Sequence, residues 1–170
     1  MDLQRGLRRR LVLKENVADP IHPEETMGLL KIASTPAAVV TAQSTVIDAV
    51  KRMGEKRVGA VAVLENGRLV GIFTERDVMM RVVLEGRDPK TTTMSEVMTK
   101  EVETVHEDMS YGEALRLMVE RHFRHLPVID AKGKVLGILS VRNVLQHTVE
   151  DLSNQLDSVV NFFSADGPGG

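Results

Sequence analysis

The pattern of apolar and polar positions over residues 44–83 recurs over residues 109–149. In the first stretch, apolar residues come at helical spacing, which predicts an amphipathic helix over about residues 45–56. These positions are Val46, Ala49, Val50 and Met53. Two short apolar runs follow on either side of Asn66-Gly67. This dipeptide predicts a β-hairpin, because both residues tolerate the positive φ of a type I′ turn.

Thr74 comes directly after the hairpin and predicts the N-cap of a second helix, which ends near Gly86. The second stretch predicts the same elements in the same order. They are a helix over 110–122, strands over 126–130 and 135–139 around a turn at Lys132 and Gly133, and a helix over 141–150. A further short apolar segment precedes the first helix of each stretch, at residues 37–40 and 101–105. Each unit is therefore predicted as β-α-β-β-α, and the fold class as α/β (α+β).

The two stretches align residue by residue. Met53 falls on Met118 at an offset of 65 residues, and Gly71 falls on Gly137 at an offset of 66. The offset changes because the second turn contains one extra residue. We interpret the chain as a tandem duplication, and we expect the two units to pack through their sheets about an approximate two-fold axis.

Composition narrows the class of protein. With 170 residues, 42% hydrophobic and 27% charged, the chain has the composition of an ordinary soluble globular protein, and no apolar run approaches the roughly 20 residues of a membrane span. The arginines at positions 5, 8, 9 and 10 are not followed by the apolar stretch of a secretion signal, so cytoplasm is the default location. The absence of cysteine excludes disulfides and thiolate chemistry. A net charge of −2 and a single Tyr make nucleic-acid binding an unfavoured hypothesis.

A short motif with a chemical meaning occurs once in each unit, as GIFTERDV at 71–78 and GILSVRNV at 137–144. A helix start carries unpaired N–H groups and a partial positive charge, so it attracts phosphate, and the hydroxyl of Thr74 adds a further donor. The carboxylate of Asp77 has the oxygens to accept both hydroxyls of a ribose. Thr-x-x-Asp is also the pattern of a capping box, which is a purely local device. The two interpretations are compatible.

Taken together, these features resemble a tandem pair of CBS domains, the family named after cystathionine β-synthase. The resemblance covers about residues 28–150 and rests on the duplicated unit, on EVMTKEVETV and RHLPVID in the second unit, and on the two motifs. It implies a pseudo-two-fold disc that often dimerises and that binds adenosine-containing ligands between the repeats. The implied organisation is an N-terminal extension (1–27), repeat 1 (28–86), a linker (87–93), repeat 2 (94–150) and a C-terminal helix with a flexible tail (151–170).

The resemblance also implies two ligand clefts, each formed by both repeats. Cleft A would contain Thr74, Arg76, Asp77, Thr99, Val102, Phe123, Arg124 and His125. Cleft B would contain Ala38, Val58, Gly59, Ala60, Ser140, Arg142 and Asn143. Asn143 replaces the usual Asp and loses charge assistance in its hydrogen bonds. Cleft B also has no basic residue matching Arg124 or His125, so we expect cleft A to be the stronger site.

The resulting functional hypothesis is a regulatory sensor rather than an enzyme. It would bind AMP, ADP, ATP or NAD(H), form a homodimer and signal to an effector protein that the sequence does not name. No nucleophile–base pair suggests catalysis, and no histidine pair has the spacing of a metal site. Two alternatives remain open: a structural dimerisation module with empty clefts, and a nucleic-acid binder.

The C-terminal region carries one more apolar stripe at helical spacing, which predicts a further helix. Its members are Leu152, Leu156, Val159, Val160 and Phe163. The final residues, SADGPGG, have neither helix nor strand potential, and no function is assigned to them.

Overall fold

The computed structural model describes residues 28–165. The first repeat contains a 3₁₀ turn at Leu29–Lys31, β1 (Val39–Thr41), α1 (Val46–Lys56), β2 (Ala60–Glu65), β3 (Arg68–Thr74) and α2 (Glu75–Asp77), which continues as a π-helix over Val78–Val83. The second contains α3 (Met94–Val97), β4 (Val105–His106), α4 (Tyr111–Arg121), β5 (His125–Ile129), β6 (Val135–Ser140) and α5 (Val141–Ala165). The predicted extension over residues 1–27 and the last five residues of the predicted tail lie outside the described residues.

Local sequence sets the starts of α1 and α4, the helices that precede the hairpin in each repeat. At α1, the hydroxyl of Thr45 donates to the carboxylate of Asp48 at 2.7 Å and accepts the Asp48 N–H at 3.3 Å. Ser110 and Glu113 make the same reciprocal pair at α4. These hydrogen bonds lower the pKa of Asp48 and of Glu113, because they stabilise the ionised carboxylates. Both helices thus begin at capping boxes that the sequence displays.

Each repeat forms its own three-stranded sheet. In the first, β1 runs parallel to β2 and β2 runs antiparallel to β3; in the second, β4, β5 and β6 repeat this arrangement. The β2–β3 turn has positive φ at Asn66 and at Gly67, as the type I′ prediction requires. The predicted fold class is confirmed.

The segment that leads into each repeat crosses to the other repeat. Thr99, at the start of repeat 2, exchanges backbone hydrogen bonds with Ile72 of β3 at 2.9 and 3.0 Å. Ser34, at the start of repeat 1, exchanges the corresponding bonds with Ile138 of β6 at 2.9 and 3.1 Å. Leu29 is accordingly buried in the core of the second repeat. Met94 and Val97 are buried in the core of the first. This reciprocal exchange is the two-fold relation that the 65/66 offset predicts.

A third apolar cluster joins the two repeats. Its buried members come from β2, β3 and β6 and are Ala60, Ala62, Ile72 and Ile138. These four side chains are buried where the repeats meet, and the two from β2 are small alanines. Within residues 28–165, no helix is both long and apolar enough to cross a membrane.

The observed elements differ from the predicted ones in three respects. The leading strands lie a few residues later than predicted, at Val39–Thr41 and Val105–His106. The helix after Thr74 changes to π geometry at Val78. The helix predicted over 141–150 and the separate C-terminal helix form one continuous helix, Val141–Ala165. No Gly or Pro interrupts this stretch, so nothing in the sequence ends the helix earlier.

Candidate ligand-binding site

Two cavities lie where the repeats meet. The smaller has a volume of about 170 Å³ and is lined by all eight residues predicted for cleft A, together with His122 and others. The larger has a volume of about 1100 Å³ and is lined by six of the seven residues predicted for cleft B, from Val58–Ala60 and from Ser140–Asn143. Small-molecule sites usually measure about 300–1,000 Å³. The larger cavity is therefore already of ligand size, whereas the smaller would have to widen.

Ala38 is the predicted cleft B residue that the structure does not bring to the cavity. Its side chain is 3% exposed and packs in the core of the first repeat. The leading segment crosses to β6 at Ser34, and this crossing brings Ser34 to the cavity wall. Ser34 lies 65 residues before Thr99, so the repeat alignment contained the signal for this position.

In cleft A, the motif Thr-x-x-Asp forms a capping box. The hydroxyl of Thr74 donates to Oδ2 of Asp77 at 2.8 Å, the Thr74 N–H donates to the same oxygen at 2.9 Å, and Asp77 N–H lies 3.4 Å from the hydroxyl. The other carboxylate oxygen, Oδ1, lies 3.3 Å from Nε of Arg81. A carboxylate has about four lone-pair sites, so Oδ1 retains room for one further donor. Capping and ligand binding can therefore coexist at Asp77.

In cleft B, Asn143 makes a related set of contacts. The hydroxyl of Ser140 donates to Oδ1 of Asn143 at 2.7 Å and accepts the Asn143 N–H at 3.2 Å. The amide nitrogen of Asn143 donates to the backbone oxygen of Ile32 at 2.8 Å. Ser140 thus caps α5, and Asn143 holds the leading segment of the first repeat against the second.

The larger cavity is rich in positive charge. Arg57, Arg124 and Arg142 line it, and Glu75 is the acidic residue on its wall. The positions of the first repeat that match Arg124 and His125 are Gly59 and Ala60, as expected, but Arg57 adds a positive charge to cleft B that was not expected. Arg124 and His125 line both cavities.

The sequence did not indicate Arg57 as a cleft residue, because Arg57 caps the end of α1 and lies outside the motif. It adopts left-handed backbone geometry with φ of 54°, and His122 does the same after α4 with φ of 57°. The two residues are 65 positions apart, and each lines the cavity next to its own helix. His122 thus lies on the wall of cleft A, although it does not belong to the motif.

His125 is the titratable group with a shifted pKa at the site. Burial lowers its pKa, because the charged imidazolium loses hydration. The positive charges of Arg124 and Arg142 lower it further, and the carboxylate of Glu75 opposes them. His125 therefore favours its neutral form in the ligand-free protein.

Comparison with protein families identifies the repeated unit. The model of the CBS domain matches residues 30–84 and 94–150. The chain belongs to the CBS-domain family. A mitochondrial CBS domain-containing protein of Arabidopsis thaliana, CBSX3, is 36% identical over 121 residues, which are 68% of this chain. The chain spans 58% of that relative's length, so little more than half of it is shared.

Solved CBS-domain structures have the same fold. A CBS-domain protein from Burkholderia ambifaria is 36% identical, with a TM-score of 0.66, and the match covers 73% of this chain and 95% of the other. CBSX2 of Arabidopsis thaliana, solved in complex with AMP, is 26% identical with a TM-score of 0.60, covering 72% of this chain and 96% of that one. The tandem CBS assignment from the sequence is confirmed.

Proposed function

We propose that this CBS-domain protein is a regulatory module that binds an adenine nucleotide between its two repeats. The observation that carries the proposal is the larger cavity. Its wall combines the motif residues Ser140, Arg142 and Asn143 of the second repeat with the Val58–Ala60 edge of the first. A nucleotide bound there contacts both repeats at once.

The charge of the cavity favours the phosphate end of such a ligand. Arg57, Arg124 and Arg142 have planar guanidinium groups that pair well with phosphate oxygens. The adenine part of the proposal is supported by CBSX2, which was solved with AMP. Among AMP, ADP, ATP and NAD(H), we expect the ligands with two or more phosphates to bind the larger cavity best.

The regulatory step follows from where the cavity lies. A ligand that contacts both repeats stabilises the arrangement of repeats to which it binds most tightly. An effector protein that recognises the same arrangement then binds better in the presence of nucleotide, and by linkage the nucleotide also binds better in the presence of the effector.

We further propose that the module is a homodimer. Met79 and Val83 are exposed on the helix of the first repeat, and Leu145 and Val149 are exposed at the matching positions, 66 residues later, on α5. Exposed apolar side chains repeated by an internal two-fold relation form a surface that a second copy can match about its own two-fold axis.

A thermal-shift series tests the nucleotide proposal. A ligand that binds only the folded state stabilises it by RT ln(1 + [L]/Kd), about 2.7 kcal/mol at 100 times Kd. For a chain of this size we expect a rise in melting temperature of roughly 5–10 °C. The effect should be largest for ADP, ATP or NAD(H), smaller for AMP, and smallest for the matched guanine nucleotides.

The same series separates the alternatives. If AMP, ADP, ATP, NAD and NADH all leave the melting temperature unchanged, the sensor proposal fails and the structural dimer module remains. A salt-dependent affinity for RNA or DNA would favour the nucleic-acid binder instead. Mass spectrometry of small molecules released from the purified protein identifies a ligand that has been retained from the cell.

A further inference from the structure

Arg81 joins two residues of cleft A that come from different repeats. Its Nε lies 3.3 Å from Oδ1 of Asp77. Its Nη1 donates to the backbone oxygen of Val97 at 2.7 Å, and its Nη2 donates to the hydroxyl of Thr99 at 3.0 Å. Asp77 belongs to the motif of the first repeat, whereas Val97 and Thr99 lead into the second. One guanidinium group therefore holds the motif of the first repeat to the segment that leads into the second repeat, which we call the crossing segment (residues 97–99).

In cleft B, a different residue connects the motif to the leading segment of the other repeat. The backbone oxygen that corresponds to that of Val97 belongs to Ile32, and it accepts the amide of Asn143 at 2.8 Å. A carbonyl oxygen only accepts hydrogen bonds, so an amide nitrogen fits there and a carboxylate oxygen does not. The departure from Asp at position 143 thus has a structural reason.

The residue at the position of Arg81 is correspondingly different in the second repeat. It is His147, whose Nε2 lies 3.5 Å from the carboxylate of Asp151. The hydroxyl of Tyr111 donates to the same carboxylate at 2.9 Å, and the rings of Tyr111 and His147 meet edge to face at 4.9 Å. In this repeat, Asn143 makes the bond to the leading segment that Arg81 makes in the first repeat. His147 instead packs against α4.

We propose that Arg81 is a positioning residue of cleft A, which holds Asp77 and Thr99 in the geometry that binds the nucleotide. Asp77 with Arg81 and Asn143 with His147 are two interchangeable pairs at equivalent positions. In the first pair the arginine bonds to the leading segment of the other repeat, and in the second pair the amide of Asn143 does. An acid at the motif position requires the arginine one turn later, whereas an amide does not. The effect on ligand affinity rests on the nucleotide-binding function proposed above; the pairing itself does not.

The ligand-dependent test compares Arg81→Met with Arg52→Met. Methionine keeps an apolar stem and removes the charge. Arg52 makes an exposed ion pair with Glu55 on α1 and lines neither cavity. Amide NMR spectra during an ADP titration distinguish the clefts, because Thr99 reports on cleft A and Ser34 on cleft B. We expect Arg81→Met to weaken binding at cleft A by about tenfold, with cleft B and the Arg52→Met protein unchanged. Unchanged affinity at cleft A in a folded Arg81→Met protein overturns the positioning role.

The ligand-independent test is a double-mutant cycle in the second repeat. Asn143→Asp places a carboxylate oxygen against the oxygen of Ile32, and we expect the melting temperature to fall by about 3 °C or more. Adding His147→Arg supplies the missing donor and should restore most of the loss. His147→Arg alone should not stabilise the protein, because it removes the contacts to Tyr111 and Asp151. Additive effects of the two changes contradict the interchangeable pairs.

The two tests fail independently. If no nucleotide perturbs cleft A or cleft B in the unmodified protein, the proposed function is wrong, and the cycle still decides whether the pairs are interchangeable. If nucleotides bind and the cycle is additive, the function stands and the pairing is wrong.

Discussion

At the scale of single residues, His125 is placed to report the occupancy of both clefts. It lines both cavities, and burial lowers its pKa before any ligand is bound. Glu75 and the arginines at 124 and 142 are the charged groups that act on it. A phosphate nearby would add negative charge and raise the pKa of His125 again.

His125 should make the stability of the protein depend on pH. The folded protein keeps the imidazole neutral, while the unfolded chain binds a proton near the ordinary pKa of about 6.5. Lowering the pH through that value therefore favours unfolding, because the unfolded state takes up more protons. We expect the unmodified protein to lose more stability than His125→Gln between about pH 7.5 and pH 5, as measured by urea unfolding. Parallel pH profiles for the two proteins would contradict this assignment.

Nucleotide binding should be accompanied by proton uptake at the same residue. Calorimetry of ADP binding at about pH 6.5 in buffers with different ionisation enthalpies measures the number of protons taken up. We expect uptake by the unmodified protein and less uptake by His125→Gln. Adenosine, which lacks phosphate, serves as the control and should produce little uptake with either protein.

At the scale of elements, the crossing segments depend on two glycines that stand at equivalent places in the repeats. A Cβ atom on Gly137 of β6 would lie 2.8 Å from Cγ2 of Thr35 and 3.1 Å from the backbone oxygen of Ser34. Gly71 of β3 is in the same position against Thr99, whose backbone oxygen would lie 3.1 Å from an added Cβ. The glycines are needed there because another chain segment passes close by, since neither has a positive φ.

Replacing Gly137 with alanine should push the leading segment away from β6. We expect a loss of about 1–3 kcal/mol in the free energy of unfolding, because backbone atoms have to move. Gly112→Ala is the matched control. Gly112 lies in α4 with nothing within 4 Å of an added Cβ, so this change should be neutral or stabilise the protein by up to about 1 kcal/mol. Chemical denaturation compares the two variants, and an equal effect of both would rule out the crossing as the cause.

At the scale of the whole molecule, the internal two-fold relation places apolar side chains at matching points on the surface. Val83 is 70% exposed and Val149 is 62% exposed, and they are 66 residues apart. The outer part of α5 adds Leu152, Leu156 and Phe162, which are also exposed. This surface is the basis of the proposed homodimer.

The dimer proposal predicts that charges at these two valines separate the subunits. We expect Val83→Glu with Val149→Glu to convert the dimer to a monomer in analytical ultracentrifugation, because two buried carboxylates per subunit would lack partners. The circular dichroism spectrum should remain that of the folded protein, since both side chains already face solvent within the subunit. Lys90→Glu changes an exposed charge elsewhere and should leave the dimer intact. An unmodified protein that sediments only as a monomer would contradict the proposal.

The sequence by itself determined the repeated unit, its capped helices and its hairpin. The capping boxes at Thr45 and Ser110 and the turn at Asn66 involve residues a few positions apart, and local geometry follows from local chemistry. The 65/66 offset follows from aligning the two stretches of sequence. The assignment of the motif residues to two clefts came from the family resemblance, and the structure places these residues on the walls of the two cavities.

The tertiary structure alone decided how the repeats exchange their leading segments and what surrounds each cleft. The burial of Leu29 in the second core and of Met94 in the first depends on contacts between distant parts of the chain, which periodicity does not encode. The contribution of Arg57 to cleft B and the bond from Arg81 to Val97 also depend on contacts between distant parts of the chain. A duplicated sequence predicts that two equivalent sites exist. Their different sizes arise because unlike side chains at equivalent positions meet different neighbours once the repeats have packed together.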